Sequence, residues 1–229
     1  QMFISDRPWP RYTSYPSAPQ FDSSFDANTY GRRLKVAAER PTDPLSLYVH
    51  IPFCEARCTY CGCNVVISPH KGPEEAYIDR LEREMDLVLE HLDERRTLNQ
   101  VHWGGGTPTY LSPAQCRRLF DAIAARFSLT PDAEIALEID PCVTSFEHLA
   151  VLRSAGFNRL SMGVQDVNPE VQEAVQRVQP LELTRGHVEE ARRLGFASVN
   201  VDLIYGLPDQ TESSFRTSVE TVIRDLAPD

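Results

Sequence analysis

The 229-residue sequence predicts an α/β fold: a parallel sheet with helical crossovers, curved into an open, partial barrel. Three observations carry this expectation. Strand-like and helix-like periods alternate five times along the chain, which suits parallel strands joined by crossover helices. Each strand presents one aliphatic face for helices to cover and one face carrying polar groups. Those polar groups, Tyr48, His50, Glu138, Asn200 and Asp202, collect toward the carboxyl ends of their strands, where α/β folds place their sites. A closed eight-stranded barrel fills its interior with bulky aliphatics, so a wall this polar suits a binding surface.

Residues 1–25 are rich in Pro, Ser and aromatics and show no helical or strand period. They read as an extended arm that lies against something, because Trp9, Tyr12, Tyr15 and Phe21 are costly to leave in water. A packing arm and a lid over the site fit equally well. A polar helix over 25–40 follows, stopped by Pro41 and Pro44. The first strand, 45–51, alternates cleanly, with Leu45, Leu47, Val49 and Ile51 opposite Ser46, Tyr48 and His50. A helix over 74–92 carries Ile78, Leu81, Met85, Val88, Leu89 and Leu92 at helical spacing. A short strand over 101–103 runs into Gly104-Gly-Gly-Thr-Pro108. Ser112, Pro113 and Gln115 open the next helix with a capping box, and it ends near Arg126.

The third strand covers 135–139, with Glu138 and Asp140 on its polar face. Thr144 and Glu147 read as a second capping box, and Gly156 closes that helix. A fourth strand spans 159–163, followed by helices over 169–176 and 180–193, the second stopped by Gly195. The fifth strand, 198–204, sets Val199, Val201 and Leu203 against Asn200, Asp202 and Ile204, and a last helix spans 212–226. The chain divides into an arm and helix over 1–44 and the barrel over 45–229.

Composition narrows the class further. The charge is −10, with hydrophobic residues at 41% and charged ones at 24%, as in ordinary globular proteins. No Lys/Arg cluster offers the basic face that nucleic acid requires. No apolar run approaches the ~18 residues of a membrane span, and no secretory leader is evident. Closely spaced, unpaired cysteines fit a reducing cytoplasm.

Four of the six cysteines fall within ten residues, Cys54-Glu-Ala-Arg-Cys58-Thr-Tyr-Cys61-Gly-Cys63. A disulfide staple suits small secreted domains rather than this chain. Zinc wants four ligands, usually as two separated pairs. An iron–sulfur cluster is held by cysteine thiolates at short spacings. Cys63 is either a spare ligand or a working thiol.

The spacing of Cys54, Cys58 and Cys61 closely resembles the cluster loop of the radical S-adenosylmethionine (SAM) enzymes. Gly104-Gly-Gly-Thr-Pro-Thr-Tyr-Leu111, Glu138-Ile-Asp-Pro141, Ser161-Met-Gly-Val-Gln165 and Asn200-Val-Asp-Leu-Ile-Tyr-Gly-Leu-Pro208 resemble the oxygen-independent coproporphyrinogen III oxidases. So does the opening Pro10-Arg-Tyr-Thr-Ser-Tyr-Pro16. The resemblance implies a partial (β/α)₆ radical SAM barrel that is open, with the last strand and a carboxy-terminal domain absent from this chain. It implies that Cys54, Cys58 and Cys61 hold a [4Fe-4S] cluster whose fourth iron binds SAM. Tyr48, Gly105 and Glu138 then match contacts of a first SAM, and Gly106, Thr107, Tyr60, Gln165, Arg177 and Asp202 those of a second. Cys142 stands where the family carries a basic residue, and Gln176 where Asn is more usual.

By the same resemblance, the reaction is oxidative decarboxylation of two propionates of coproporphyrinogen III to vinyl groups, giving protoporphyrinogen IX. One-electron reduction of the cluster, from a flavodoxin-type donor, would cleave SAM to a 5′-deoxyadenosyl radical. The implied protein is a cytoplasmic monomer, and a chain of this extent is not expected to turn over alone. The rival reading is a haem-binding chaperone of the same superfamily. Cys63 separates the two, since those relatives usually carry an aromatic there, and Cys63 is therefore the candidate catalytic thiol. A zinc-bound structural module is the third reading.

Overall fold

The computed structural model describes Phe21 and residues 24–229; the expectations for Trp9, Tyr12 and Tyr15 lie outside the described residues. Helix α1 (Ala27–Ala38) begins where the Asp26 side chain accepts the Thr29 N–H at 2.8 Å. Strand β1 (Leu45–Ile51) follows, with Val49 and Ile51 buried and Tyr48 exposed on the opposite face, as the alternation predicts. A small parallel ribbon of β2 (Phe53–Cys54) and β3 (Val66–Ile67) then brackets the cysteine loop. Helix α2 (Glu74–Leu89) leads to β4 (Thr97–Gly105), a 3₁₀ turn (Pro108–Tyr110) and α3 (Pro113–Ala124). Strand β5 (Ser128–Ile139), α4 (Phe146–Ala155) and β6 (Arg159–Gln165) come next. The chain continues through α5 (Pro169–Ala174), α6 (Leu181–Leu194), β7 (Ser198–Leu203) and α7 (Glu212–Thr221), and closes with a π-helical turn over Val222–Leu226.

The five long strands form one parallel sheet in the order β1-β4-β5-β6-β7, which is their order in the chain. Sequential parallel order requires each crossover to return past one face, so the helices gather there. Their apolar sides meet Val49, Val101, Trp103, Leu137 and Leu160 in one core. Trp103 packs edge-on to Phe157 with ring centroids 4.9 Å apart, and Phe120 touches the same ring at 5.5 Å. The other face keeps Tyr48, His50, His102, Glu138, Ser161, Asn200 and Asp202, all exposed or half-buried. That is the polar inner wall the sequence predicts.

Several boundaries differ from the sequence reading, for physical reasons. Strands β4 and β5 start four and seven residues earlier than expected, at Thr97 and Ser128. The pairing is irregular between Leu98 and Gln100, so no clean alternation marks the early stretch. The second capping box is made by Ser145 and His148, not Thr144 and Glu147. The Thr144 hydroxyl is already engaged, donating to the Asp140 carbonyl at 2.8 Å and meeting Thr109 Oγ1 at 2.8 Å. Helix α7 stops at Thr221 because the chain widens into the π turn. Strand β7 lies at the sheet edge, where Val199 N–H donates to Asp229 Oδ2 at 2.7 Å.

His148 offers a test of this packing. The Ser145 N–H donates to its Nδ1 at 3.1 Å, so the ring proton belongs on Nε2, which donates to the Leu111 carbonyl at 2.9 Å. A second proton on Nδ1 would face a donor. Burial pulls the His148 pKa below its ordinary value of 6.5, although the Leu111 carbonyl opposes the shift. A histidine held neutral in the fold stabilises fully above its unfolded pKa and loses that contribution as pH falls toward the folded pKa. Wild type should therefore lose stability relative to His148→Gln on going from about pH 7.5 to about pH 5, read by urea unfolding at each pH.

Candidate active site

The carboxyl ends of β4, β5, β6 and β7, with the cysteine loop that follows β1, open into a cavity of about 410 Å³, within the usual range for cofactor pockets. Cys54, Cys58, Cys61 and Cys63 line it together with Tyr60, Gly105, Gly106, Thr107, Glu138, Gln165, Arg177 and Asp202. Every predicted site residue is thus brought to one cavity except Tyr48. Tyr48 points from the same face but two residues further from the strand end than His50. Its hydroxyl meets His50 Nδ1 at 3.0 Å and its ring stacks on His102, centroids 6.0 Å apart.

The cysteine loop is held at both ends by backbone. Val66 N–H donates to the Pro52 carbonyl at 2.7 Å and Ser68 N–H to that of Cys54 at 2.9 Å. His50 Nε2 meets the Asn64 carbonyl at 2.9 Å, and Thr59 N–H reaches Val175 O at 3.2 Å. From within the loop, Glu55 pairs with Lys71 at 3.7 Å, and the Lys71 ammonium lies 3.4 Å from the Tyr110 ring centroid. The Tyr110 hydroxyl donates to the Ser68 carbonyl at 2.9 Å. The loop is therefore fastened to the 3₁₀ turn as well as to the strand it leaves.

The glycine turn packs against that loop at backbone distance. Gly106 N–H donates to Ile51 O at 2.8 Å and Thr107 N–H to Phe53 O at 2.9 Å. A Cβ on Gly106 would stand 2.7 Å from the Phe53 carbonyl oxygen, and one on Gly105, whose φ is +114°, would stand 2.6 Å from the His50 ring. Thr107 Oγ1 lies 3.7 Å from Cys54 Sγ. Across the cavity, Glu138 meets His102 Nε2 at 3.4 Å. Asp202 accepts from Ser161 Oγ at 2.9 Å and from Asn200 Nδ2 at 3.1 Å. Gln165 adopts a left-handed φ of +67° beside the β6 register shift, a strained geometry of the kind found where a side chain is aimed at a ligand.

Arg177 is the least expected member, because its sequence context reads as a surface charge. Its side chain is 14% exposed and pairs with Asp140 at 3.0 Å. It also donates to the Gly163 carbonyl at 2.9 Å and reaches Cys58 Sγ at 3.8 Å. Its Nε is buried with no hydrogen-bond partner among the described residues. Burial disfavours its charge, but Asp140, Tyr60 and Cys58 outweigh that and raise its pKa. Sequence reasoning passed over Asp140, Ser161 and Cys142, all of which line the cavity. The strand alternation did mark Asp140, on the same face as Glu138. Cys142, marked in the sequence only as standing where the family carries a basic residue, has no such signal.

All six cysteines are free thiols. Burial, and then the neighbouring thiols, raise Cys54, although its contact with Thr107 opposes the shift. Burial and the adjacent Cys61 push Cys63 up to about 11. Crowded thiols of this kind ionise together only when a cation arrives, so metal binding there releases protons. Among the described residues, no three His, Cys, Asp or Glu side chains are grouped to hold a metal ion. A single zinc ion needs donors converging on a point. An iron–sulfur cluster is several ångströms across and carries its own bridging sulfides, so cysteines spaced around a cavity fit it better.

Steric crowding in the glycine turn gives a direct test. Gly106→Ala must displace backbone and should lower stability by about 1–3 kcal/mol. Gly62→Ala has nothing within 4 Å of its added methyl and should stay within about 0.5 kcal/mol of wild type. Parallel urea unfolding curves compare the two.

Residues 48–222 match the Radical SAM superfamily. The oxygen-independent coproporphyrinogen III oxidases of Synechocystis sp. and Escherichia coli are 43% and 46% identical to the chain over 220 residues, covering 96% of it and 47% of each relative. The solved structure of coproporphyrinogen III oxidase from Escherichia coli, described as a radical SAM enzyme, superposes with a TM-score of 0.88 at 45% identity. It covers 96% of this chain and 49% of that one. The chain spans about half the length of the curated relatives it matches. With its parallel strands, its cysteine loop and a match over most of its length, the chain belongs to the radical SAM superfamily.

Proposed function

We propose that this chain is the barrel portion of an oxygen-independent coproporphyrinogen III oxidase, with residues 1–44 its arm and first helix and residues 45–229 its barrel. The observation that carries the reading is the meeting of three free thiols, a glycine turn and a strand-end carboxylate in one cavity, in a chain 46% identical to such oxidases. Radical SAM proteins use a [4Fe-4S] cluster and SAM. Cys54, Cys58 and Cys61 would hold the cluster, which with SAM supplies the radical that removes a propionate hydrogen.

The chain's own residues orient and shield that chemistry. Gly105 and Gly106 let backbone approach a cofactor closely, and Thr107 supplies a hydroxyl beside Cys54. Glu138, already facing His102, suits the ammonium or ribose hydroxyls of a first SAM. Gln165, Asp202, Tyr60 and Arg177 suit a second. Tyr48 would act from the rim. Burial raises the Tyr60 pKa, with Cys58 adding to the shift and Arg177 opposing it, so the phenol remains a neutral donor. Cys63, exposed at the loop's end, is the candidate catalytic thiol.

Substrate carboxylates need a cation. Arg57 lines the cavity and has no hydrogen bond or ion pair among the described residues, which leaves it free for a propionate. We assign the protein to the cytoplasm as a monomer that receives electrons from a flavodoxin-type donor, in keeping with its reduced thiols and acidic surface.

Anaerobic reconstitution tests the reading. The chain should take up iron and sulfide, show broad visible absorption and bind SAM, and Cys58→Ala should lose all three. Zinc in place of iron, with no visible absorption, would remove the proposal. Extended to the relatives' full length, the reduced protein should convert coproporphyrinogen III. Haem transfer without decarboxylation would assign it to the chaperones instead.

A further inference from the structure

The three loop cysteines do not share one environment. Among the described residues, Cys58 alone of the three has a cation against its sulfur: Arg177 Nη1, at 3.8 Å, reaching across 119 residues of sequence. The guanidinium is not free to drift. Nη1 is paired with Asp140 Oδ2 at 3.0 Å and Nη2 donates to the Gly163 carbonyl at 2.9 Å. Both charged side chains are largely covered, at 14% and 18% exposure. Cys54 has instead a neutral hydroxyl, Thr107 Oγ1, at 3.7 Å.

We propose that Arg177, oriented by Asp140, is a positioning residue that sets the reduction potential of the metal cluster carried by Cys58, through its N–H contact with the Cys58 sulfur. The inference rests on the reading above that Cys58 is a cluster ligand. Hydrogen bonds to ligand sulfurs and nearby charge are the protein's main levers on such potentials. One-electron reduction adds a negative charge to the cluster, and a fixed guanidinium stabilises that state more than the oxidised one. Partial burial strengthens the effect, because the pair is poorly screened by water. Asp140 contributes the aim: without it the guanidinium keeps the Gly163 carbonyl alone as its fixed partner.

This role differs from a contact with SAM. Nη1 faces the Cys58 sulfur within the protein itself, so Arg177 acts on the cluster even when no SAM is present. A group serving only SAM would leave the SAM-free cluster unchanged.

The test is a redox titration of the full chain with its cluster assembled anaerobically and no SAM added, followed by electron paramagnetic resonance. Arg177→Met should lower the reduced-to-oxidised ratio at a fixed potential about tenfold, equivalent to roughly 59 mV for a one-electron couple. In an Asp140→Asn background, the same change should move the ratio less than half as far on the logarithmic scale, because the aimed contact is already lost. If Arg177→Met retains no iron, Arg177→Lys carries the test, with a smaller shift in the same direction. An unchanged ratio in the iron-loaded variant overturns the inference, even if SAM affinity drops. Equal shifts in both backgrounds overturn the role given to Asp140. A wild-type chain that assembles no cluster removes the proposed function itself, a different failure from a cluster indifferent to Arg177.

Discussion

The site depends on one close approach of backbone to backbone, that of Gly106 and Thr107 to the segment between Ile51 and Phe53. These two hydrogen bonds continue the β1–β4 pairing beyond the end of the sheet, just where β1 gives way to the cysteine loop. No side chain fits between the two segments at position 106, where an added Cβ would strike the Phe53 carbonyl oxygen and crowd Cys54 Sγ. Once this contact forms, Cys54 is fixed at the mouth of the sheet with Thr107 beside it. The remainder of the loop is then hung from fixed points: Asn64 on His50, Val66 on Pro52 and Thr59 on Val175. Removing the glycines would therefore misplace the thiols without touching them.

Sheet order explains why distant residues share this mouth. In a parallel sheet whose spatial order follows its sequence, every carboxyl end faces one way. Glu138, Ser161 and Asn200 are brought together by register, with Glu138 opposite Ser161 on β5–β6 and Ser161 opposite Asn200 on β6–β7, and Asp202 accepts from Ser161 from two residues further along β7. Helices cover only the apolar face, so the polar face stays open to a ligand. The same geometry places Asp140, one residue past β5, within reach of Arg177, which follows α5. This ion pair is thus a product of topology, with no local sequence signal of its own.

That contrast marks how much was legible in the sequence. The strand faces were readable because a period of two survives wherever one face is apolar. The cysteine loop and glycine turn were readable because their chemistry is local. The β2–β3 ribbon was not, since two-residue strands have no period. Thr144 and Ser145 both offered a capping hydroxyl. Only the tertiary engagement of Thr144 with Thr109 and the Asp140 carbonyl decides between them. Tyr48 was placed on the correct face but too near the mouth. Each step of two residues along a strand moves a side chain ~7 Å, enough to separate a rim position from a lining one. Arg177 was recognised only through family likeness, because its partners Asp140, Gly163 and Cys58 lie far from it in the chain.

The formal charge is −10, and its distribution decides what a ligand in the cavity meets. The cavity's carboxylates are each engaged: Glu138 with His102, Asp140 with Arg177, Glu55 with Lys71, and Asp202 with Ser161 and Asn200. Much of the acidic surplus lies away from this wall, as around Arg118, where Glu75, Asp79 and Glu82 converge from α2. At physiological ionic strength, exposed charges beyond about 8 Å are largely screened. What a ligand in the cavity meets is therefore the local balance. There, Arg57 lines the wall without a partner among the described residues, while every carboxylate has one. Arg57 is thus the one lining cation among the described residues left for an anionic group, while Asp202, whose partners Ser161 and Asn200 are neutral, keeps a charge that suits a cationic one.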